Sequence, residues 1–395
     1  MRPLKTVCLI TNAYPDFEGS PRGVFVKQMV DLMKGNGYRF SVVTPRIFDR
    51  SRRLETNGSE TIYRFDFLSE NRLLVDYGRI PILRMMTYMV AGVSKGLQIV
   101  KRDRCDLIHA HFTVPAGLIG VIVARLLGRK VILTAYGTDI SWRGSKVVEA
   151  CSRFVLRHSD YLVVISEYTR EKVQRFVKSG IPIEMIYAAG VDTRKFNPNK
   201  NGSEARRELG LHDTDFVLLF VGNLVERKQV GDLISATARL KHLHPHVKLI
   251  VGGDGELRQT LENQAIREHG DSTVTFLGRV PDDLLPSLYA LANVFVLPSR
   301  EEGLGVVLLE AMASGTTVVA SRTTGILSVI EEGRTGLLYE PGNIEGLVAK
   351  IQQLIENSDL GSKLGEAARG EAVERFAREK QAQKLLRVYD RCLSP

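Results

Sequence analysis

The run Pro298–Gly315, PSREEGLGVVLLEAMASG, carries two carboxylates, Glu302 and Glu310, eight positions apart. Glu302 falls in a glycine-containing loop after an apolar strand, and Glu310 falls within a helix expected to begin near Gly305. A helix start presents unpaired N–H groups and the positive end of the helix dipole. Gly303 and Gly305, with Leu304 between them, let backbone come close to a ligand. A carboxylate just before such a helix can accept hydrogen bonds from the hydroxyls of a sugar, and one two turns on can hold a ribose. Read singly, the two glutamates are a cap and a solvated face. The whole string favours a binding site.

Four further groups have types suited to the same chemistry. Arg227 and Lys228 follow the strand Phe216–Val221 and would place cations at its carboxyl end, where the alternative is a solvated basic turn. His111 stands just past the strand Leu107–Ala110 in IHAHFTVPAG, while His109, two residues earlier, reads as structural. Asp139, in ILTAYGTDI, could orient an acceptor or act as a base, and equally could cap a helix. The loop Asn12–Gly23 closes the first strand, and Gly23 could approach a phosphate or sit in an ordinary turn.

These residues need a scaffold, and the hydrophobic pattern supplies one. Lys5–Ile10, Phe40–Val43, Leu107–Ala110, Val131–Ala135 and Leu162–Ile165 read as buried strands alternating with helices. The pattern restarts with Phe216–Val221, Lys248–Val251, Val274–Leu277, Val294–Leu297 and Val318–Ala320. Strand–helix alternation implies right-handed βαβ units and parallel sheets. The polar stretch 196–203, FNPNKNGS, reads as a linker. The expected organisation is a Rossmann-like domain over 1–197, a second over 203–375, and a helix over 376–395 crossing back to the first. Two doubly wound α/β domains facing a central cleft would bind ligand at the carboxyl ends of their strands. The apolar positions Leu83, Met86, Val90, Val93, Leu97 and Val100 recur at helical spacing and read as a core face. The alternative is a membrane-facing surface, because Arg72, Arg79 and Arg84 flank its start.

Composition narrows the setting. The 395 residues are 44% hydrophobic and 25% charged, as in ordinary globular proteins. No apolar run is long enough to span a bilayer, and the N-terminus lacks a signal-peptide pattern. Cys8, Cys105, Cys151 and Cys392 are scattered, which argues against a metal knuckle or disulfide framework and fits a reducing cytosol. Residues 1–195 hold 31 Lys+Arg against 18 Asp+Glu, a net of +13, whereas the remainder is −4. One half therefore expects an anionic neighbour. Arg46–Arg53 includes Phe48 but no nucleic-acid-binding motif, so no nucleic-acid partner is expected.

From the first strand to about Pro341 the chain resembles the retaining glycosyltransferases of family four, which have the two-domain GT-B fold. The resemblance rests on the Glu–seven residues–Glu string above and extends to the other segments. It implies that Glu302 contacts donor-sugar hydroxyls and Glu310 the ribose. It places Gly23 against the donor diphosphate, His111 on the donor sugar, and Lys228 on the diphosphate. VTFLGRV resembles the segment whose main chain reads the nucleobase, implying Leu277, Gly278 and Val280. TTGIL resembles a Gly-Gly-Ile turn that meets the phosphates, implying Gly325. GVFVKQ is similar to a subgroup that builds cell-surface polysaccharides.

Three residues depart from the pattern. Tyr136 replaces a histidine, Asn223 replaces an arginine, and Thr324 replaces a glycine. Tyr136 can donate a hydrogen bond but cannot become a cation, so if that histidine binds an acidic acceptor group in relatives, a different acceptor is expected here. With Asn223 in place of arginine, Arg227 is the neighbouring cation left to compensate.

The implied activity is transfer of a sugar from a nucleotide diphosphate-sugar, by family habit a UDP-sugar, to a glycan or lipid-linked acceptor. No metal or other cofactor is expected. Contact with anionic lipid at the inner face of the membrane is the expected use of the basic half. Two alternatives stay open: a GT-B sugar-nucleotide epimerase, and a nucleotide-binding protein that has lost activity. Nucleotide release that depends on added acceptor separates transferase from epimerase, and slow donor hydrolysis separates either from an inactive binder.

Overall fold

A computed structural model describes residues 5–20, 22–34, 36–73, 81–137, 139–140, 145–177, 180–187, 190–269 and 273–394. The chain divides into unit 1, residues 1–189 with 381–395, and unit 2, residues 190–380.

Unit 1 is built on eight strands: β1 (Lys5–Thr11), β2 (Tyr38–Pro45), β3 (Leu54–Asn57), β4 (Glu60–Phe65), β5 (Leu107–His111), β6 (Lys130–Ala135), β7 (Tyr161–Val164) and β8 (Ile183–Met185). Their order is β3-β4-β2-β1-β5-β6-β7-β8, parallel throughout except for the β3/β4 pair. The central strands are apolar on both faces because helices cover both. Val7 and Leu9 of β1 pack with the helix Val24–Met33, while Cys8 and Ile10 pack with the helices Ile82–Arg102 and Leu118–Leu127 on the other face. The order reverses between β1 and β5, which makes their carboxyl ends the switch point of this sheet.

Unit 2 has six parallel strands: β9 (Phe216–Val221), β10 (Val247–Gly252), β11 (Val274–Gly278), β12 (Val294–Leu297), β13 (Thr317–Ser321) and β14 (Leu337–Tyr339). They lie in the order β11-β10-β9-β12-β13-β14, so the switch point falls between β9 and β12. Both units are therefore doubly wound α/β sheets, as the strand–helix alternation requires.

Two expectations need correction. The division falls at residues 189/190, ahead of the polar stretch 196–203. The reason is packing: Val191 bridges to Ala377, and the Phe196 ring stands edge-on to Tyr289, both within unit 2. The helix Ile82–Arg102 does not bury the whole apolar stripe. Leu83, Met86 and Val90 are exposed, at 67%, 60% and 71%, while Val100 is buried. Its buried positions are Tyr88, Gly92, Gly96, Ile99 and Val100, and the two glycines are where the next helix comes closest. A methyl at Gly92 would come within 2.5 Å of Ile119, and one at Gly96 within 2.9 Å of Val123. Close approach to the next helix thus selected the glycine face and turned the larger side chains outward. Of the flanking arginines, Arg84 pairs with Glu70, and Arg79 lies outside the described residues.

The helix Arg378–Leu393 packs on unit 1 through Ala382, Leu385, Val388 and Tyr389, against Val7, Leu9, Phe40 and Ile132. The Gln381 side-chain oxygen accepts the Tyr187 N–H at 3.0 Å. Among the described residues no helix is long and apolar enough to cross a membrane.

Candidate functional site

Three neighbouring strands of the unit 2 sheet, β9, β12 and β13, send their following loops to one place. After β9 the chain turns through Glu226–Lys228, and Gln229, in the left-handed region at φ 51°, starts the helix Val230–Leu243. The turn aims the Lys228 ammonium at the loop after β12, where it pairs with the Glu302 carboxylate. The Ser299 hydroxyl donates to the same Glu302 oxygen at 2.9 Å. Both partners are nearly enclosed, with side chains 10% and 8% exposed. The main chains are tied as well: Arg300 N–H donates to the Arg227 carbonyl at 2.8 Å, and the Arg227 guanidinium reaches the Glu301 carbonyl at 3.4 Å.

The loop after β13 completes the group. A methyl on Gly325 would sit 2.1 Å from the Glu302 carbonyl oxygen and 2.8 Å from that of Gly303. Only glycine allows this backbone-on-backbone approach. Gly303 itself is exposed, and a methyl there would meet nothing within 4 Å. Gly305, at φ 70°, starts the helix Val306–Ala313, while the Leu304 side chain is buried. A buried cation, a carboxylate and a helix start thus meet at the switch point of the sheet, which suits an anionic ligand bearing hydroxyls.

Glu310 lies two turns along that helix, and Tyr289 OH donates to its carboxylate at 2.8 Å. The residue keeps some accessible surface, but its carboxyl is nearly surrounded by protein. Burial pushes its pKa up to about 7, partly offset by the Tyr289 hydrogen bond and the charge of Lys195.

Leu277, Gly278 and Val280 stand apart from the Lys228–Glu302 group, on the edge strand β11 and just past it. Leu277 and Val280 line a cavity of about 430 Å³ with the helices Gly202–Glu208 and Leu285–Leu291. The Gly278 carbonyl accepts the Gly253 N–H at 2.7 Å.

In unit 1, His111 closes β5 and is 1% exposed. Its Nδ1 lies 2.7 Å from the Tyr136 hydroxyl, and its Nε2 is buried without a partner. Burial, helped by His109, holds the imidazole well below its usual pKa, so it is neutral. His109 is structural: its nitrogens meet Tyr389 OH at 2.7 Å and Thr134 Oγ1 at 2.8 Å, and burial lowers its pKa to about 3.

Asp139 fastens two loops. Its carboxylate accepts Thr113 N–H at 2.7 Å and Tyr136 N–H at 3.0 Å, joining the segments that follow β5 and β6. Burial raises its pKa. Gly23 precedes the helix Val24–Met33 at φ 67°, and a methyl there would fall 2.3 Å from the Ala13 carbonyl oxygen. The chain's own backbone already demands a glycine at this position.

Three positioning residues were not anticipated. Ser299 and Tyr289 hold the two glutamates. Asn12 accepts from Ala116 N–H at 3.0 Å and Tyr88 OH at 3.1 Å, and donates to the Val114 carbonyl at 3.1 Å. A polar residue immediately after a buried strand was the available signal for Asn12.

Comparison with known proteins adds the following. The sequence profile described as Glycosyltransferase Family 4 matches residues 23–195, and that described as Glycosyl transferases group 1 matches residues 202–371. A curated relative, the N-acetyl-alpha-D-glucosaminyl L-malate synthase of Bacillus anthracis, is 28% identical over 318 residues, 80% of this chain and 82% of that one. The sucrose-phosphate synthase of Thermosynechococcus elongatus superposes with a TM-score of 0.78 at 21% identity, covering 98% of both chains. Anabaena HepE, solved in complex with UDP, gives 0.78 at 20% identity, covering 98% of this chain and 99% of that one.

Proposed function

The chain belongs to the family 4 glycosyltransferases of GT-B fold, and from that premise we propose that it moves a hexose-type sugar from a UDP-sugar to an acceptor hydroxyl with retention of configuration. The reading is carried by the meeting of Lys228 and Glu302 where the loops after β9 and β12 converge. Lys228, with Arg227 beside it, takes the diphosphate, whose negative charge grows as the glycosyl–oxygen bond breaks. Glu302 accepts hydrogen bonds from sugar hydroxyls, Glu310 holds the ribose, and Gly325 brings backbone N–H groups to the phosphates. Leu277, Gly278 and Val280 are assigned to the base. In unit 1, His111 and Gly23 serve the sugar and diphosphate, and Asp139 orients the acceptor-side loops.

The step is a front-face substitution. The anomeric carbon parts from the phosphate oxygen, the acceptor oxygen bonds to the same face, and its proton passes to the departing phosphate oxygen. The residues named position the reactants and stabilise charge. Uridine is the proposed base, in keeping with the UDP bound to the Anabaena protein of like fold. Synthesis of a cell-surface polysaccharide is the proposed setting, from the GVFVKQ string.

The test is a panel of UDP-, GDP- and ADP-glucose. UDP-glucose is expected to raise the melting temperature and to be hydrolysed slowly. A panel in which no nucleotide-sugar stabilises the protein overturns the reading. Glu310 adds a pH signature, because ribose hydroxyls bind its ionised form. The UDP-glucose dissociation constant should rise as pH falls through about 7, by up to roughly tenfold per unit, and Glu310→Gln should flatten the profile. Stability runs the other way. The folded carboxyl holds its proton up to about 7, against 4.5 for a free glutamate, so the stability it contributes is present at low pH and lost as pH rises from 4.5 through about 7.

We place unit 1 against anionic lipid. The net charge of +13 over residues 1–195 and the exposed Ile82, Leu83, Met86 and Val90 support this. The protein should co-sediment with vesicles containing anionic phospholipid and stay in the supernatant with neutral ones. Sedimentation indifferent to lipid charge would remove the proposal.

A further inference from the structure

Unit 1 holds a cavity of about 370 Å³ at the carboxyl ends of β1, β2, β5 and β6. That is the switch point of its sheet, where open α/β folds bind their ligands. The cavity is apolar. Ile47, Met85, Tyr88, Phe112, Val114 and Val148 supply most of its wall. Three polar side chains border it, and each is engaged within the protein. Asn12 is held by Ala116, Tyr88 and Val114. Arg22 forms a two-pronged pair with Asp16 at 2.6 and 2.8 Å and donates to the Asn12 carbonyl. The Asp139 carboxylate accepts the two backbone N–H groups already described. A free sugar in this space would surrender water for a hydrocarbon surface, at a cost for every unmatched hydroxyl. A hydrocarbon group would gain by entering.

The apolar surface does not stop at the cavity. Met85 lines it, and the adjoining Met86, with Leu83 on the same helix, is exposed at 60% and 67%. One helix therefore presents apolar atoms both inside the pocket and on the outer surface beside it. A chain of carbons could follow that path from pocket to surface.

We propose that this cavity is the seat of the acceptor's apolar part, so that the acceptor is an amphiphile with a hydrocarbon chain close to its reacting hydroxyl. A free glycan is the alternative it excludes. The proposal names the substrate class for the transferase reading above and rests on it.

The experiment uses the full chain and three probes, butyl, hexyl and octyl β-glucoside, each below its micelle concentration and measured by titration calorimetry. Affinity should rise roughly fourfold per added methylene. Two variants fill the cavity: Val148→Trp from a buried position, and Met85→Trp from a half-buried one that the fold tolerates more easily. Either should flatten the dependence on chain length while leaving UDP-glucose binding unchanged. Affinity independent of chain length in the unaltered protein overturns the proposal, as does an undiminished dependence in a folded, filled variant. Chain-length dependence without UDP-glucose binding leaves the pocket standing and removes the UDP-sugar donor reading, so the two failures are distinguishable.

Discussion

Lys228→Ala is expected to lower turnover by roughly two to three orders of magnitude, the usual loss when one preorganised group facing developing charge is removed. The ammonium is paired with Glu302 inside unit 2, so part of the effect could be structural. Breaking a buried pair from one side costs about 3–5 kcal/mol, because the remaining charge is stranded. Here Glu302 keeps the Ser299 hydroxyl at 2.9 Å, which places the cost at the lower end. A domain with an ordinary stability of about 5–15 kcal/mol would stay folded. The combination Lys228→Met with Glu302→Gln separates the two contributions. Removing both charges should restore much of the melting temperature and none of the turnover. A Lys228→Ala protein that turns over at near-normal rate would show that this cation does not face the leaving group.

Gly325→Ala should have the second largest effect, for a different reason. No charge is lost. The added methyl would fall 2.1 Å from the Glu302 carbonyl oxygen, and both neighbours are backbone. A side chain could rotate away, but here one loop must move. A shift on the order of 1 Å in the segment bearing Glu302 is enough to reduce turnover by about a hundredfold. Steady-state kinetics with a melting curve checks this: kcat/KM should collapse while unit 2 still unfolds cooperatively. Unchanged kinetics would mean that the approach of these loops has no bearing on the reaction.

The strands legible in the sequence are those buried on both faces. VCLI of β1, VILTA of β6 and FVLLFV of β9 read as continuous apolar runs because helices cover both sides. Four strands escaped. In β4, ETIYRF, Glu60 and Arg64 are buried yet charged, neutralised by Lys34 and Glu55 respectively, so the apolar pattern is broken where tertiary pairing restores it. The strand β3 is mostly exposed, and β8 and β14 have three residues each, too few for a period to register. The stripe at Leu83, Met86 and Val90 misled for the opposite reason. Hydropathy ranks leucine above glycine, while helix packing there chose the glycines.

The site was legible in parts. Glu302 and Gly305 stood out through the loop-to-helix string that they share. The pairing of Glu302 with Lys228, 74 positions away, follows only once β9 and β12 are known to be neighbours. Asn12, Ser299 and Tyr289 act through hydrogen bonds to distant partners and carry no local pattern.

The return of the helix Arg378–Leu393 to unit 1 has a consequence for biosynthesis. Residues 190–380 form unit 2 without a break, whereas unit 1 is interrupted by the whole of it. A ribosome therefore delivers all of unit 2 before the piece that covers Val7, Leu9 and Phe40. During that interval the face of the first sheet that carries them is covered only by the helix Val24–Met33, and the rest of it is open to water and to neighbouring chains. The earlier-begun half of the protein is thus the later to be finished.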